Sequence, residues 1–145
     1  MRYIRFIILS VIWSIFLLGC TGKTEQAKAK YVFYFIGDGM GVNQVIGTEM
    51  YLAELEGRIG TKSLSFTSFP VRNYLTTYSG TNAVTCSAAA GTALATGTKT
   101  QNGRIGMRQD SSVLYSIACK AKQAGKAVGV TTSVAINHAT PAVFY

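Results

Sequence analysis

The sequence has 145 residues, of which 48% are hydrophobic and 14% are charged, and this composition excludes a disordered or coiled-coil polymer. Its length allows one domain of ordinary size. The formal net charge of +8 would favour an anionic partner, but five of the 14 basic residues precede residue 31, and we expect no nucleic-acid partner because no basic stripe is interleaved with aromatic residues.

The N-terminal segment is typical of an export signal. Arg2 and Arg5 give it a positive start, and the apolar run at 6–18 is shorter than the roughly 20 residues of a membrane span. The run leads through Leu-Leu-Gly into Cys20, an ending that resembles a bacterial lipobox, in which the Cys is lipidated and becomes the mature N-terminus. We therefore predict a lipoprotein signal peptide at 1–19 and an exported protein, anchored to the membrane by its lipid and facing the periplasm or cell surface. The alternative is a Cys that merely ends an ordinary secretory signal.

Beyond the signal, the chain divides into a polar tether over residues 20–30 and a domain over residues 31–145. In the domain, apolar runs of strand length alternate with segments of helical periodicity. Strands are predicted at 31–36, 71–78 and 127–134, and helices at 42–56, 87–95 and 111–124. Gly97 would stop the second helix, Asp110 would cap the third, and the Asn-Gly pair at 102–103 marks a tight turn. This order is typical of an α/β fold whose strands are joined by right-handed crossovers.

Polar clusters fall at three places where strands end or helices begin, and such places bind ligands in α/β sheets. Asp38 follows the first strand, Ser87 begins a helix, and His138 and Thr140 follow the last strand. A carboxylate and an imidazole could hold a divalent cation that lowers the pKa of a serine. Alternatively, Asp38 is a turn residue, Ser87 a helix cap and His138 a core histidine. Thr140 is placed to cap a helix whose first position is Pro141.

Two further cysteines, Cys86 and Cys119, lie in the domain. An exported protein meets oxidising conditions, in which these two thiols could pair. Their predicted places, one at the start of a helix and the other inside a helix, favour two unpaired residues instead.

Three segments resemble the successive N-terminal motifs of the alkaline phosphatases: FIGDGMG at 35–41, VTCSAAAGTA at 84–93 and NHATPA at 137–142. They stand in the family's order and span nearly the whole chain after the signal. The segment GTKTQNG at 97–103 also resembles the stretch after the family's nucleophile helix. The resemblance implies a three-layer α/β/α sandwich with a mostly parallel sheet, present here only as its N-terminal part.

The resemblance also implies a phosphomonoester hydrolase that uses two zinc ions (Zn2+) and one magnesium ion (Mg2+). Asp38 would bridge a zinc and the magnesium site, and Ser87 would be the zinc-bound nucleophile that accepts the phosphoryl group. His138 and Thr140 would lie at the third metal site. The implied substrate is a small phosphomonoester, and the complete protein would be a homodimer if it follows many relatives.

Two residues depart from the family's pattern. Many members carry Asp at the position of Cys86, where it helps to hold a phosphate-binding Arg, and a thiol is a poorer acceptor. Cys86 is therefore a candidate near-site residue whose effect falls on that Arg rather than on the nucleophile. Other members carry Asp at the position of His138, and a nitrogen ligand makes the third site less suited to magnesium and more tolerant of zinc or cobalt.

The family's later motifs lie outside this sequence. Members continue for several hundred residues and there supply the phosphate-binding Arg and most zinc ligands, whereas the sole histidine here is His138. Because a catalytic zinc takes about three protein ligands, we expect the 145-residue polypeptide by itself to be an incomplete and inactive piece of such an enzyme. The alternatives are another metal-dependent phosphatase, phosphodiesterase or sulfatase of the same superfamily, or a lipid-anchored remnant without chemistry.

Overall fold

The computed structural model describes residues 29–145 and divides the chain into two units, residues 1–35 and residues 36–145. The predicted signal peptide, Cys20 and the tether up to residue 28 lie outside the described residues. In the first unit, residues 29–35 form neither helix nor strand. Within the described part of the chain, no helix has the length and apolar character needed to cross a membrane.

The second unit holds four α-helices and a short 3-10 helix: α1 at Val42–Glu54, the 3-10 helix at Phe66–Ser68, α2 at Ser87–Thr96, α3 at Ile117–Gln123 and α4 at Ala139–Ala142. The core surrounds α2, which packs against α3 and α4. The buried residues of α2 are all small, so its neighbours approach its backbone closely: Ala88, Ala89, Gly91, Thr92 and Ala95.

Helix α2 begins and ends where the sequence predicts. Its alanine-rich sequence has high helix propensity, and it ends at Gly97, whose φ of 74° is the left-handed conformation that terminates many helices. Gly91 faces α4, because a Cβ built on it would lie 3.2 Å from Cγ2 of the buried Val143. This close approach fixes the 138–142 segment against the helix that carries Ser87.

Helix α3 starts later than the predicted helix at 111–124, and that prediction is wrong in its first half. The carboxylate of Asp110 accepts a hydrogen bond from the N–H of Ser112 at 2.9 Å and so closes a turn rather than capping a helix. The actual N-cap is Ser116, whose hydroxyl oxygen accepts from the N–H of Cys119 at 3.1 Å. Both aspartate and serine are good helix caps, and Asp110 does not cap α3 because its carboxylate closes the turn at Ser112 instead.

The predicted strands at 31–36, 71–78 and 127–134 form no ladder within residues 29–145, and this part of the fold prediction is not met there. The β-pairing found in that range is a single isolated antiparallel bridge between Met107 and Val113. In the 71–78 segment Tyr74 is 85% exposed. An apolar run predicts a strand that would be buried in a sheet, but a parallel ladder also needs a neighbouring strand. The helices of the α/β pattern are therefore formed here without the sheet.

Candidate active site

Asp38 lies at the tip of a turn that follows the first apolar run. The N–H of Met40 donates to the carbonyl of Gly37 at 3.1 Å, and Gly39 adopts a φ of 69°, which favours glycine because it has no Cβ. The turn leaves the Asp38 side chain exposed. Asp38 is thus a turn residue, in agreement with one of the two interpretations of the sequence. Its exposed carboxylate can also accept hydrogen bonds from other segments of the chain.

Two hydroxyl groups from distant parts of the chain donate hydrogen bonds to the Asp38 carboxylate. The Oγ of Ser87 lies 3.1 Å from Oδ2 and 3.3 Å from Oδ1 of Asp38. The Oγ1 of Thr140 lies 2.7 Å from Oδ2. These partners stand 49 and 102 residues from Asp38 in the sequence. The structure therefore brings three of the four predicted metal and catalytic residues into one cluster.

Neither hydroxyl caps a helix, contrary to the plainer interpretations of the sequence. Ser87 is the first residue of α2, and the N-cap is Cys86. Thr140 is the second residue of α4, whose N-cap is His138. Pro141 is consequently the third residue of α4 rather than the first, a position that still tolerates proline because the N–H groups of a first turn have no intrahelical partner. Both side chains are left to reach Asp38.

His138 takes part in the local backbone rather than in the hydroxyl–carboxylate cluster. Its N–H donates to the carbonyl of Ala135 at 2.9 Å, and its carbonyl accepts from the N–H of Ala142 at 3.0 Å. Among residues 29–145, no hydrogen bond joins the imidazole to Asp38, and no group of three or more His, Cys, Asp or Glu side chains is arranged to hold a metal ion. The assignment of His138 to a third metal site stays a prediction.

Cys86 contacts the turn that follows α2. Its N–H donates to Oδ1 of Asn102 at 3.2 Å, and its Sγ accepts from the N–H of Gly103 at 3.1 Å. The N–H of Ala89, first, and that of Gly103 lower the pKa of the Cys86 thiol from its usual value. Cys86 and Cys119 are both free thiols.

Asn102 is a site-adjacent residue that the sequence reasoning missed. The sequence predicts only a tight turn for the pair at 102–103, although the pair stands inside the motif-like GTKTQNG segment. The GTKTQNG motif could have pointed to Asn102, but a predicted turn does not show which distant backbone groups the side-chain amide will contact.

The cluster of Asp38, Ser87 and Thr140 presents only oxygen donors. Carboxylate and hydroxyl oxygens suit a hard divalent cation such as magnesium, and a carboxylate also binds zinc. The N-terminus of α2, next to this cluster, carries the positive end of the helix dipole and favours a phosphate or other anion. The donor set therefore fits a divalent cation, and the helix end fits the anion that such a cation would help to hold.

Comparison with known proteins shows the family of this chain. The alkaline phosphatase family model matches residues 29–145. Alkaline phosphatase 4 of Bacillus subtilis (strain 168) is 38% identical over 133 residues, which cover 84% of this chain and 27% of that protein. The tissue-nonspecific alkaline phosphatase isozyme of Homo sapiens is 34% identical over 134 residues, which cover 85% of this chain and 26% of that protein.

A solved structure extends the similarity to three dimensions. The crystal structure of a cold-active alkaline phosphatase from the psychrophile Shewanella sp. superposes with a TM-score of 0.67 at 34% identity, covering 75% of this chain and 27% of that one. Over that coverage, the fold is similar to the corresponding part of that phosphatase. The chain belongs to the alkaline phosphatase family, and it spans about a quarter of the length of the relatives it matches.

Proposed function

We propose that Ser87 is the nucleophile of a phosphomonoester hydrolase and that it carries a covalent phosphoserine intermediate. The observation that carries this proposal is the placement of the Ser87 hydroxyl at the N-terminus of α2, donating to the Asp38 carboxylate that Thr140 also meets. A serine that neither caps its helix nor is fully buried is free to react. Family membership supports phosphatase chemistry of this general kind.

The chain's own groups take part in both steps of the proposed reaction. The hydrogen bond from Ser87 to Asp38 holds the serine proton on the carboxylate side, which turns a lone pair of Oγ away from Asp38. As a bond forms between Oγ and phosphorus, the serine proton passes to the Asp38 carboxylate, the ester P–O bond breaks, and the alcohol leaves with a proton from solvent. Water then attacks the phosphoserine and gives up one proton to solvent, inorganic phosphate is released as the Oγ–P bond breaks, and the proton on Asp38 returns to Oγ to restore the Ser87 hydroxyl. The α2 N-terminus stabilises the phosphoryl oxygens throughout.

Divalent cations would strengthen this chemistry. Asp38, Ser87 and Thr140 supply the oxygen donors that would help to hold them, and His138, two positions before Thr140, would contribute a nitrogen. Two zinc ions and a third metal, magnesium or zinc, are the set we propose for the whole protein. When bound, such ions lower the pKa of the serine and neutralise the charge of the phosphoryl group.

A small phosphomonoester is the proposed substrate class, and the 145-residue polypeptide alone is proposed to be inactive toward it. Turnover of p-nitrophenyl phosphate should be measured for that polypeptide and for the complete polypeptide encoded by its reading frame. In the complete polypeptide we expect Ser87→Ala to lower turnover by about a thousandfold or more. Ser63→Ala, an exposed serine outside the cluster, is the matched control and should leave turnover unchanged.

The outcomes separate the possibilities. Unchanged turnover in Ser87→Ala would overturn the nucleophile assignment. Ser87-dependent turnover by the 145-residue polypeptide would overturn the proposal that it is inactive alone. Absence of Ser87-dependent turnover in both polypeptides would favour a non-catalytic remnant.

Export and lipid anchoring complete the proposal. Arg2, Arg5, the apolar run at 6–18 and Cys20 support a lipoprotein that faces the periplasm or cell surface. Metabolic labelling with a radioactive fatty acid should mark the wild-type protein and not Cys20→Ser. Equal labelling of both proteins would contradict lipidation at Cys20.

A further inference from the structure

The segment at 97–106 runs back along α2 after that helix ends. Its far end is fixed by Thr92, whose hydroxyl donates to the carbonyl of Arg104 at 3.2 Å and accepts from the N–H of Gly106 at 3.0 Å. Thr92 is fully buried. The returning segment is therefore attached to the middle of the helix whose first residue is Ser87.

The same segment holds the loop that leads into Ser87. The Nδ2 of Asn102 donates to the carbonyl of Val84 at 3.0 Å, and its Oδ1 accepts from the N–H of Cys86 at 3.2 Å. The N–H of Gly103 adds the bond to Cys86 Sγ at 3.1 Å. One side-chain amide thus binds the backbone groups of Val84 and Cys86, and Cys86 is the residue immediately before the proposed nucleophile.

The start of this loop is held by the same returning segment. The N–H of Gly80 donates to the carbonyl of Thr100 at 2.7 Å, and Nζ of Lys99 donates to the carbonyl of Tyr78. The loop at 78–86 is consequently fastened near both of its ends. Because the fastening segment is itself anchored at Thr92, a rotation of the loop relative to α2 would break several of these bonds together.

We propose that Asn102 is a positioning residue for Ser87, acting through the backbone of Val84 and Cys86 to hold the Ser87 hydroxyl against Asp38. This inference rests on the proposed function. The hydrogen bonds of the Asn102 side chain go to the 84–86 backbone and not to Ser87 or Asp38, so its influence passes through the loop. A displacement of about 1 Å at a reacting group can cost about a hundredfold in rate, which makes such a support consequential.

The amide is chemically suited to this task. Asparagine offers a donor and an acceptor in one plane, whereas aspartate offers acceptors alone and alanine offers neither. Asn102→Asp therefore keeps an acceptor for the Cys86 N–H and loses the donor to the Val84 carbonyl. Asn102→Ala loses both contacts, so we expect it to disturb the loop more than Asn102→Asp does.

The test is a double-mutant cycle in the full chain, in which the measured quantity is the NMR signal of the Asp38 side chain. The 13C chemical shift of the Asp38 carboxyl carbon reports the hydrogen bonds that it accepts, and it is measured in wild type, Ser87→Ala, Asn102→Ala and the double variant. Asn73→Ala is the matched control, because its amide accepts one local bond from the Tyr74 N–H. We expect Asn102→Ala to reproduce much of the shift change caused by Ser87→Ala and to add little to it in the double variant.

A second measurement keeps the result independent of overall stability. Amide hydrogen exchange at Cys86 should rise about fivefold in Asn102→Ala, less in Asn102→Asp, and remain unchanged in Asn73→Ala. Circular dichroism should report the same helix content for all the variants.

Three results would overturn the proposal. They are an unchanged Asp38 shift in Asn102→Ala, a shift change that is fully additive with that of Ser87→Ala, and an unchanged exchange rate at Cys86. The readouts need neither metal nor substrate. If turnover does not depend on Ser87 but the Ser87 and Asn102 variants are coupled in the Asp38 shift, the proposed chemistry is refuted and the positioning role of Asn102 stands. If turnover depends on Ser87 but the two variants are not coupled, the positioning role is refuted and the proposed chemistry stands.

Discussion

The segment around α2 and the apolar segments at 71–78 and 127–134 differ in where their partners come from. Helix α2 is bonded to the segment at 97–106 that directly follows it and packs against α3 and α4, and Thr92 and Thr100 are fully buried. In the 71–78 segment, by contrast, Val71 is 86% exposed. A helix satisfies its own backbone, whereas a parallel strand depends on neighbours that arrive through long crossovers. The proposed nucleophile therefore stands on a helix whose packing partners lie within the described residues, whereas the apolar segments have no neighbouring strand there.

The largest effect is expected at the link between α2 and the returning segment. Thr92→Val keeps the shape of the side chain but leaves the carbonyl of Arg104 and the N–H of Gly106 without their partner. We expect a loss of about 2 kcal/mol in the free energy of unfolding, measured by urea denaturation. Thr48→Val on the exposed face of α1 is the control and should change stability by no more than about 0.5 kcal/mol. Equal effects of the two variants would show that the buried link is unimportant.

The end of α2 should be next in sensitivity. Gly97 has a φ of 74°, so Gly97→Ala places a Cβ in a left-handed conformation and should destabilise the protein by about 1 kcal/mol. Gly47 lies inside α1 with open space around it, and Gly47→Ala should instead stabilise by about 0.5–1 kcal/mol. Thermal unfolding of both variants gives the comparison. The same sign for both would contradict the assigned backbone conformations.

A smaller, pH-dependent effect is expected at the turn after α1. The hydroxyl of Thr67, first, and the N–H of Leu64 lower the pKa of the Glu49 carboxyl. A pKa that is lower in the folded state means that this contribution is complete above the unfolded value of about 4.3 and is lost as the pH falls through the folded pKa. Glu49→Gln should therefore flatten the decline of stability with acid, measured by denaturation across the acidic range.

The smallest effect on stability is expected in the apolar segments. Leu75 is 73% exposed, so Leu75→Ser in the 145-residue polypeptide should change the free energy of unfolding by no more than about 0.5 kcal/mol. The same change should reduce aggregation in light scattering, because large exposed apolar surface promotes association. A loss well above 1 kcal/mol would show that this side chain is buried after all.

The parts of the fold that were predicted correctly from the sequence are those fixed by nearby residues. The start of α2 at Ser87 and its end at Gly97 follow from alanine propensity and the glycine stop. The late start of α3 was missed because Asp110 and Ser116 are both good caps, and only the turn closed by Asp110 distinguishes them. The predicted strands have no neighbouring strand within the described residues, and an apolar run in the sequence does not show whether such a neighbour is present.

The candidate site was predictable to a similar degree. The meeting of Asp38 with Ser87 agrees with the expectation that strand ends and helix starts lie together. The family resemblance assigns Thr140 and Asp38 to the same metal site and so implies that they lie close together, whereas the local sequence around Thr140 indicates only a helix cap. Asn102 was missed because its partners are backbone groups, and backbone groups leave no mark in the sequence.

The central claim is that Ser87 is the residue that accepts the phosphoryl group. The most direct test is to quench the complete polypeptide with acid during turnover of a phosphomonoester and to map phosphate by mass spectrometry. We expect phosphate on the peptide that contains Ser87 in wild type and in Ser63→Ala, and none in Ser87→Ala. Hydrolysis that continues with the phosphate on another residue, or with Ser87 absent, would contradict it.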